Sequence, residues 1–113
     1  MTGVLQVVTT VDSKQQADKL AEALVARRLA ACVQVSGPIT STYHWQGKVE
    51  SGEEWICAIK SLSAKYKSLE QAIVELHPYD VPEILAFDVV AGHRGYLDWL
   101  AAELGGGPEQ RPA

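Results

Sequence analysis

The stretch of residues 31–62 constrains the fold most, because its polar and apolar residues alternate with a period near two. Gln46-Gly47 near the middle is typical of a tight turn, since glycine supplies the positive φ of a primed hairpin turn. β-branched and aromatic residues flank this turn, and Ser51-Gly52 predicts a bulge or kink. The stretch therefore predicts one unusually long β-hairpin.

Strand and helix patterns alternate on either side of this hairpin. Ser13-x-x-Gln16 is typical of a capping box at a helix N-terminus, and Arg27 and Arg28 are expected in the last turn of that helix. The patterns together predict strands at 4–11 and 84–90, and helices at 13–28, 63–76 and 94–104.

The order of these elements indicates an α+β protein of the ferredoxin-like βαββαβ type, with a long hairpin and an extra C-terminal helix. Both crossover helices are expected on one face of an antiparallel sheet. Right-handed crossovers place the first and third strands at its centre and the second and fourth at its edges. We expect a single domain over residues 1–104 and a disordered tail over 105–113.

The second strand creates a difficulty at its edge of the sheet. It is long, carries Tyr43 and Trp45, and exposes unpaired backbone groups. Such edges pair with another chain unless they are short, charged or covered. The sequence therefore predicts self-association through the hairpin.

Charge and hydropathy exclude several classes of partner. The net charge is −4 and the basic residues form no cluster beyond Arg27-Arg28, which argues against nucleic acid. No run approaches the roughly 20 apolar residues of a membrane span. Because residues 1–4 lack a basic and hydrophobic signal pattern, we expect a cytoplasmic protein.

The two cysteines, Cys32 and Cys57, are expected to be free thiols. If the hairpin has no bulge, position 57 faces 36 and position 32 faces 61, which separates the thiols by about 13 Å along the ladder. A disulfide needs Cα atoms within about 7 Å. A bulge at Gly37-Pro38 would shift this register and change the separation.

The run His77-Pro78-Tyr79-Asp80-Val81-Pro82-Glu83 combines rigidity with reactive side chains. Proline restricts the residue before it, so His77 is expected to end the preceding helix. His77, Asp80 and Glu83 are candidate ligands of a divalent ion such as copper or zinc, an ion not required for folding. The alternatives remain that His77 caps the helix, that Asp80 bonds its own turn and that Glu83 pairs with Lys60.

Four motifs occur in order along the chain: Ala30-Ala31-Cys32-Val33, Thr40-Ser41-x-Tyr43-x-Trp45-x-Gly47-Lys48, His77-Pro78-Tyr79-x-x-Pro82-Glu83 and Tyr96-Leu97-x-Trp99-Leu100. With them, residues 4–104 resemble the CutA family, which is named for divalent-cation tolerance. The resemblance implies a ferredoxin-like subunit assembled as a homotrimer through its hairpins. It also implies similarity to PII-type signalling proteins, which carry ligands in clefts between subunits.

Some members of that family are associated with copper, and this chain departs from their pattern. Val8 stands where they carry a cysteine on the first strand, and Leu76 stands where a second histidine would precede the proline. A single imidazole makes a weak copper site. A metal site is therefore expected to be shared between subunits or to use oxygen ligands.

Six side chains are candidates to line an intersubunit cleft: Tyr43, Trp45, Lys60, Tyr79, Glu83 and Trp99. The competing interpretation is that the aromatic residues are interface anchors. The leading hypothesis is a non-enzymatic homotrimer that responds to divalent metal ions and binds an ion or small ligand. The alternatives are a PII-like regulator that senses an anionic metabolite or nucleotide for a protein partner, and a small enzyme with His77 and Glu83 as base and acid.

Overall fold

The computed structural model of the protein describes residues 2–105, which form a four-stranded antiparallel sheet and three α-helices. The strands are β1 (Val4–Val11), β2 (Cys32–Trp45), β3 (Lys48–Leu62) and β4 (Leu85–Asp88). The helices are α1 (Lys14–Ala26), α2 (Tyr66–Leu76), which follows a 3₁₀ turn at Ser63–Lys65, and α3 (Arg94–Glu103). The predicted α+β, ferredoxin-like arrangement with an extra C-terminal helix is confirmed.

The strand order in the sheet is β2-β3-β1-β4, so β1 and β3 are central and β2 and β4 form the edges, as predicted. Helices α1 and α2 pack on one face. The core on this face contains fully buried side chains from both central strands and both helices, among them Val7, Leu24, Ile59 and Ile73. This core follows from the period-two and period-3.6 apolar patterns that predicted the elements.

Helix α3 lies against the opposite face, at one end of the sheet. Val4 points away from the face that carries Val7, because side chains alternate along a strand. Val4 packs with Leu100 and Leu104 in a second, smaller apolar cluster. The remainder of that face has no helix of the described chain over it.

The predicted register of the hairpin is correct near the turn and wrong beyond the bulge. Trp45 pairs with Lys48 as expected, but the ladder shifts between Ser36 and Ile39, so Cys57 faces Val35 rather than Ser36. The extra residue lies at Gly37-Pro38, the position at which the sequence allows a shift, while Ser51-Gly52, where a bulge or kink is predicted, pairs regularly with Thr42 and Ser41.

The shift changes the geometry of the two thiols. Cys32 pairs with Lys60, three residues from the Val35 that faces Cys57, so the cysteines lie on opposite faces of the sheet. Both cysteines are free, as predicted. Burial, and then the nearby Asp18 carboxylate, raise the pKa of Cys57 to about 11. This thiol is therefore protonated at neutral pH.

The end of the hairpin projects beyond the sheet. The last pair between β1 and β3 is Val11↔Trp55, so residues 39–54, here called the hairpin arm, pair only with each other. The protein measures 55 × 25 × 22 Å. A two-stranded ribbon alone is marginally stable in water. The arm therefore requires stabilisation from outside its own two strands.

Helix α1 begins as predicted, but its C-terminal end differs from the prediction. The Ser13 hydroxyl accepts from the backbone N–H of Gln16, which confirms the predicted N-cap. Arg27 and Arg28 lie beyond the last turn of α1 rather than in it, because the chain leaves the helix with Arg28 at φ 56°. Gly105 is exposed, and the rest of the predicted tail lies outside the described residues.

No helix within residues 2–105 is long and apolar enough to cross a bilayer.

Replacing Gly37 by alanine is expected to destabilise the bulge by about 1–3 kcal/mol. The residue has φ +155°, and an added Cβ would lie 2.6 Å from Cδ1 and 2.8 Å from Cγ of the Trp55 ring. Gly47→Ala is the matched control, because Gly47 also has positive φ (+80°) but has open space around the added carbon. Urea unfolding of both variants measures the difference, and equal losses would show that the contact with Trp55 is unimportant.

Candidate functional site

A groove of about 810 Å³ lies between the hairpin arm and the segment that follows α2. The arm forms one side, and residues 79–83, which belong to the loop between α2 and β4, form the other. Eleven described residues line it: Thr10, Ser41, Thr42, Tyr43, Trp45, Glu50, Glu54, Tyr79, Asp80, Val81 and Glu83. The groove thus contains five of the predicted site residues: Tyr43, Trp45, Tyr79, Asp80 and Glu83.

The hairpin side of the groove follows from strand alternation. Tyr43 and Trp45 are two residues apart on β2 and therefore share a face. Tyr43 pairs with Glu50 across the ladder, which brings a carboxylate beside the phenol. Tyr43 is 45% exposed and Trp45 57% exposed, so both rings are accessible in the single chain.

The opposite side is held in place by a side-chain bond. The Tyr79 hydroxyl donates to Oε2 of Glu54 at 2.8 Å, which connects the loop to β3. Burial raises the pKa of Tyr79 well above its usual range, and the bond to Glu54 and nearby negative charges raise it further. Tyr79 is therefore a neutral donor at physiological pH.

His77 supports this side from beneath. It ends α2, as predicted, and its side chain is buried. Nδ1 accepts the backbone N–H of Tyr79 at 3.0 Å, so this nitrogen carries no proton. Nε2 then carries the ring proton and donates to the Thr10 carbonyl at 2.8 Å. The ring is neutral and links the loop to β1.

The position of Thr10 on β1 explains why its carbonyl needs the hydrogen bond from His77. The last pair between β1 and β4 is Val8↔Leu85, so β4 does not extend as far as Thr10. A buried carbonyl without a partner is unfavourable, and the imidazole N–H supplies the partner that the short strand does not.

Burial lowers the pKa of His77, and it outweighs three influences in the opposite direction. These are the bond to the Thr10 carbonyl and the nearby Asp12 and Glu54 carboxylates, in that order. The neutral form is therefore the folded form at physiological pH. The capping alternative proposed that the His77 ring caps the C-terminus of α2, but the ring forms its hydrogen bonds with Thr10 and Tyr79 instead.

The predicted metal ligands are not brought together as a cluster in one subunit. Both nitrogens of His77 are bonded internally, and Asp80 and Glu83 are exposed on the loop. Across residues 2–105 no three His, Cys, Asp or Glu side chains come close enough to hold a metal ion. The same internal bonds leave His77 without a free nitrogen for general base catalysis.

Two of the predicted cleft residues lie away from the groove. Lys60 lies on β3 and its Nζ donates to Oε1 of Gln34 at 2.8 Å, so it does not form the predicted pair with Glu83. Trp99 lies on α3, where its ring centroid is 5.6 Å from that of Tyr96. Within one subunit neither side chain reaches the groove.

Sequence reasoning missed three groups that shape the site: Thr10, Glu50 and Glu54. The pairing of Trp45 with Lys48 places Glu50 opposite Tyr43, so a count along the ladder identifies Glu50. No local pattern identifies Thr10 or Glu54, because their partners His77 and Tyr79 are 67 and 25 residues away.

The groove is acidic as well as aromatic. Four carboxylates line it, those of Glu50, Glu54, Asp80 and Glu83, and none of its described lining residues is lysine or arginine. Low-dielectric walls concentrate the field of such charges. The groove of the single chain therefore attracts cations and repels anions.

The family described as CutA1 divalent ion tolerance protein matches residues 5–103 of the chain. The divalent-cation tolerance protein CutA of Thermus thermophilus is 42% identical over 99 residues, which are 88% of this chain and 96% of that protein. Human Protein CutA is 38% identical over 80% of this chain, and the chain spans about half (51%) of the human protein's length.

Solved structures give the same result. The divalent cation tolerance protein (Cut A1) of Thermus thermophilus superposes with a TM-score of 0.84 at 42% identity, covering 86% of this chain and 94% of that one. CutA of Synechococcus elongatus superposes with a TM-score of 0.89 at 35% identity, covering 92% of each chain.

Proposed function

This chain belongs to the CutA1 divalent ion tolerance protein family, and from that premise we propose that it works as a non-enzymatic homotrimer in divalent-cation tolerance. In this proposal an ion or small ligand binds in the acidic grooves, which neighbouring subunits complete.

The observation that carries the proposal is the amount of apolar surface that the single chain leaves uncovered at both sheet edges. Near the β2 edge, Trp45 and Val49 are 57% and 67% exposed. At the β4 edge, Leu85 and Phe87 are 51% and 53% exposed. Exposed apolar surface of this kind, beside unpaired strand edges, is typical of an interaction surface.

The two edges differ in sequence and length, which favours a ring over a pair. A contact between β2 of one subunit and β4 of the next is heterologous, and such contacts close into rings when the rotation permits. A ring would also support the projecting arm, which has no third strand of its own. A trimer is the assembly that the sequence resemblance implies.

The charge of the groove supports a cationic ligand. Carboxylate oxygens suit hard divalent ions, and a subunit interface could add ligands to Asp80 and Glu83. His77 has a structural role in this proposal, because both of its ring nitrogens are bonded within the chain. The acidic lining gives no support to the alternative in which an anionic metabolite or nucleotide binds this groove.

Sedimentation equilibrium at micromolar concentration tests the assembly. We expect a mass of three times the 12.3 kDa of one chain. A well-folded single-chain species would contradict the proposal.

Calorimetric titration of the metal-free protein with Cu²⁺, Zn²⁺ and Mg²⁺ tests the ion. We expect saturable binding that Glu83→Gln weakens and that Glu53→Gln, a nearby exposed change outside the groove lining, leaves intact. Equal isotherms for the two variants would remove the groove from the metal hypothesis. The cytoplasmic location and the protein partner remain predictions.

A further inference from the structure

We propose that the groove binds an organic ammonium cation, held by the aromatic rings of Tyr43, Trp45 and Tyr79 and by the carboxylates beside them. The inference rests on the proposed function for the assembled state of the groove, and it names the chemical class of the ligand.

The size of the groove favours an organic cation over a bare ion. Small-molecule sites occupy roughly 300–1,000 Å³, and this groove has about 810 Å³. A metal ion needs several oxygen or nitrogen ligands within about 2.6 Å of one point. The described part of the chain has no such group of three His, Cys, Asp or Glu side chains. The four carboxylates of the groove therefore do not converge on one point.

The aromatic side chains offer cation–π contacts, which suit an organic ammonium group and which a coordinated metal ion does not use. An ammonium group is attracted to the negative face of a tryptophan or tyrosine ring, most strongly where water is excluded. Tyr43 and Trp45 present their rings from the hairpin, and Tyr79 lies across from them on the loop. The carboxylates beside these rings attract the positive charge of the ligand.

The ring of Tyr79 is fixed before any ligand binds. Its backbone N–H donates to Nδ1 of His77 and its hydroxyl donates to Oε2 of Glu54, so both ends of the residue are held. A pre-organised binding group loses less conformational entropy when the ligand arrives. The two hydrogen bonds of the His77 ring leave no nitrogen free for a metal ion. One of them instead helps to fix Tyr79 in the groove.

Calorimetric titration of the assembled protein with choline, and with its neutral isostere 3,3-dimethylbutan-1-ol, tests the proposal. We expect choline to bind and the neutral alcohol to bind about tenfold more weakly or worse, since only the charge differs. Tyr79→Leu is expected to weaken choline binding at least about fivefold, and Tyr79→Phe, which keeps the ring, to weaken it less.

Glu83→Gln is expected to weaken choline binding about threefold to tenfold, and Glu53→Gln serves as the matched control with unchanged affinity. Sedimentation of each variant establishes that it still assembles.

Failure of this inference differs from failure of the proposed function. An assembled protein that binds divalent metal but no choline, or that binds choline and the neutral alcohol equally, overturns the organic-cation proposal and leaves the family function standing. A folded monomer overturns the proposed assembly, and unchanged choline binding in Tyr79→Leu removes the groove as its site.

Discussion

Replacing Trp45 by aspartate is expected to abolish the assembly and to lower solubility and melting temperature together. Trp45 lies at the end of β2, next to the turn of the hairpin arm, where it is 57% exposed in the single chain. In the proposed trimer a neighbour covers the side of this ring that faces away from the groove, and a carboxylate there would be desolvated without a partner. The expected loss of unfolding free energy is about 3 kcal/mol or more.

The loss is expected to exceed that of an ordinary surface change because assembly and folding are linked. Obligate oligomers often lack a stable folded monomer, so the unfolding midpoint should also depend on protein concentration. Tyr43→Asp is expected to act in the same direction, since its ring shares the face of Trp45.

Val74→Asp is the matched control, because Val74 is 52% exposed on α2 and belongs to neither edge strand. Sedimentation and thermal unfolding of the variants, each at two protein concentrations, provide the comparison. If Trp45→Asp and Tyr43→Asp both sediment and melt like the unmodified protein, the hairpin is not the assembly surface.

The order of elements and the order of strands follow from local patterns, which is why the sequence predicts them. Apolar periodicity identifies each element, and the handedness of crossovers restricts the sheet order. The register beyond Gly37-Pro38 does not follow in this way. A bulge adds one residue and reverses the facing of the strand, so Cys57 faces Val35, although a count along the ladder from the Trp45–Lys48 pair predicts Ser36.

The site was predictable where the groups are close in sequence. Tyr79, Asp80 and Glu83 lie in one rigid run, and Tyr43 and Trp45 lie on one strand face. Lys60 does not reach the groove within one subunit, because its Nζ donates a hydrogen bond to Gln34 on the neighbouring strand, and its predicted place in an intersubunit cleft stays a prediction. The structural role of His77 depends on Thr10, which no spacing rule connects to it.

Replacing His77 by alanine is expected to lower the free energy of unfolding at pH 7.5 by about 2–4 kcal/mol. The change leaves a cavity and removes the partners of two backbone groups, the Thr10 carbonyl and the Tyr79 N–H. The substitution also removes the side chain that supports Tyr79 on the loop side of the groove. His93→Ala is the control, because the exposed His93 caps the short helix α3 and its loss should cost about 1 kcal/mol or less.

The contribution of His77 is expected to depend on pH with a defined sign. Burial holds the folded-state pKa below the ordinary value of 6.5, so between these two pKa values the unfolded chain binds more protons. The stabilisation is therefore complete above about pH 6.5 and falls as the pH drops toward the lower, folded-state pKa. One such group contributes a slope of at most about 1.4 kcal/mol per pH unit.

Urea unfolding of the unmodified protein and of His77→Ala between pH 7.5 and 5.5 measures this contribution. Asp12 and Glu54, the acidic groups that face the ring, are common to both proteins, so the difference between the two curves isolates the imidazole. That difference should narrow as the pH falls, because protonation of Nδ1 removes the acceptor of the Tyr79 N–H. A constant difference over this range would mean that the bonded neutral imidazole does not hold the groove wall to β1.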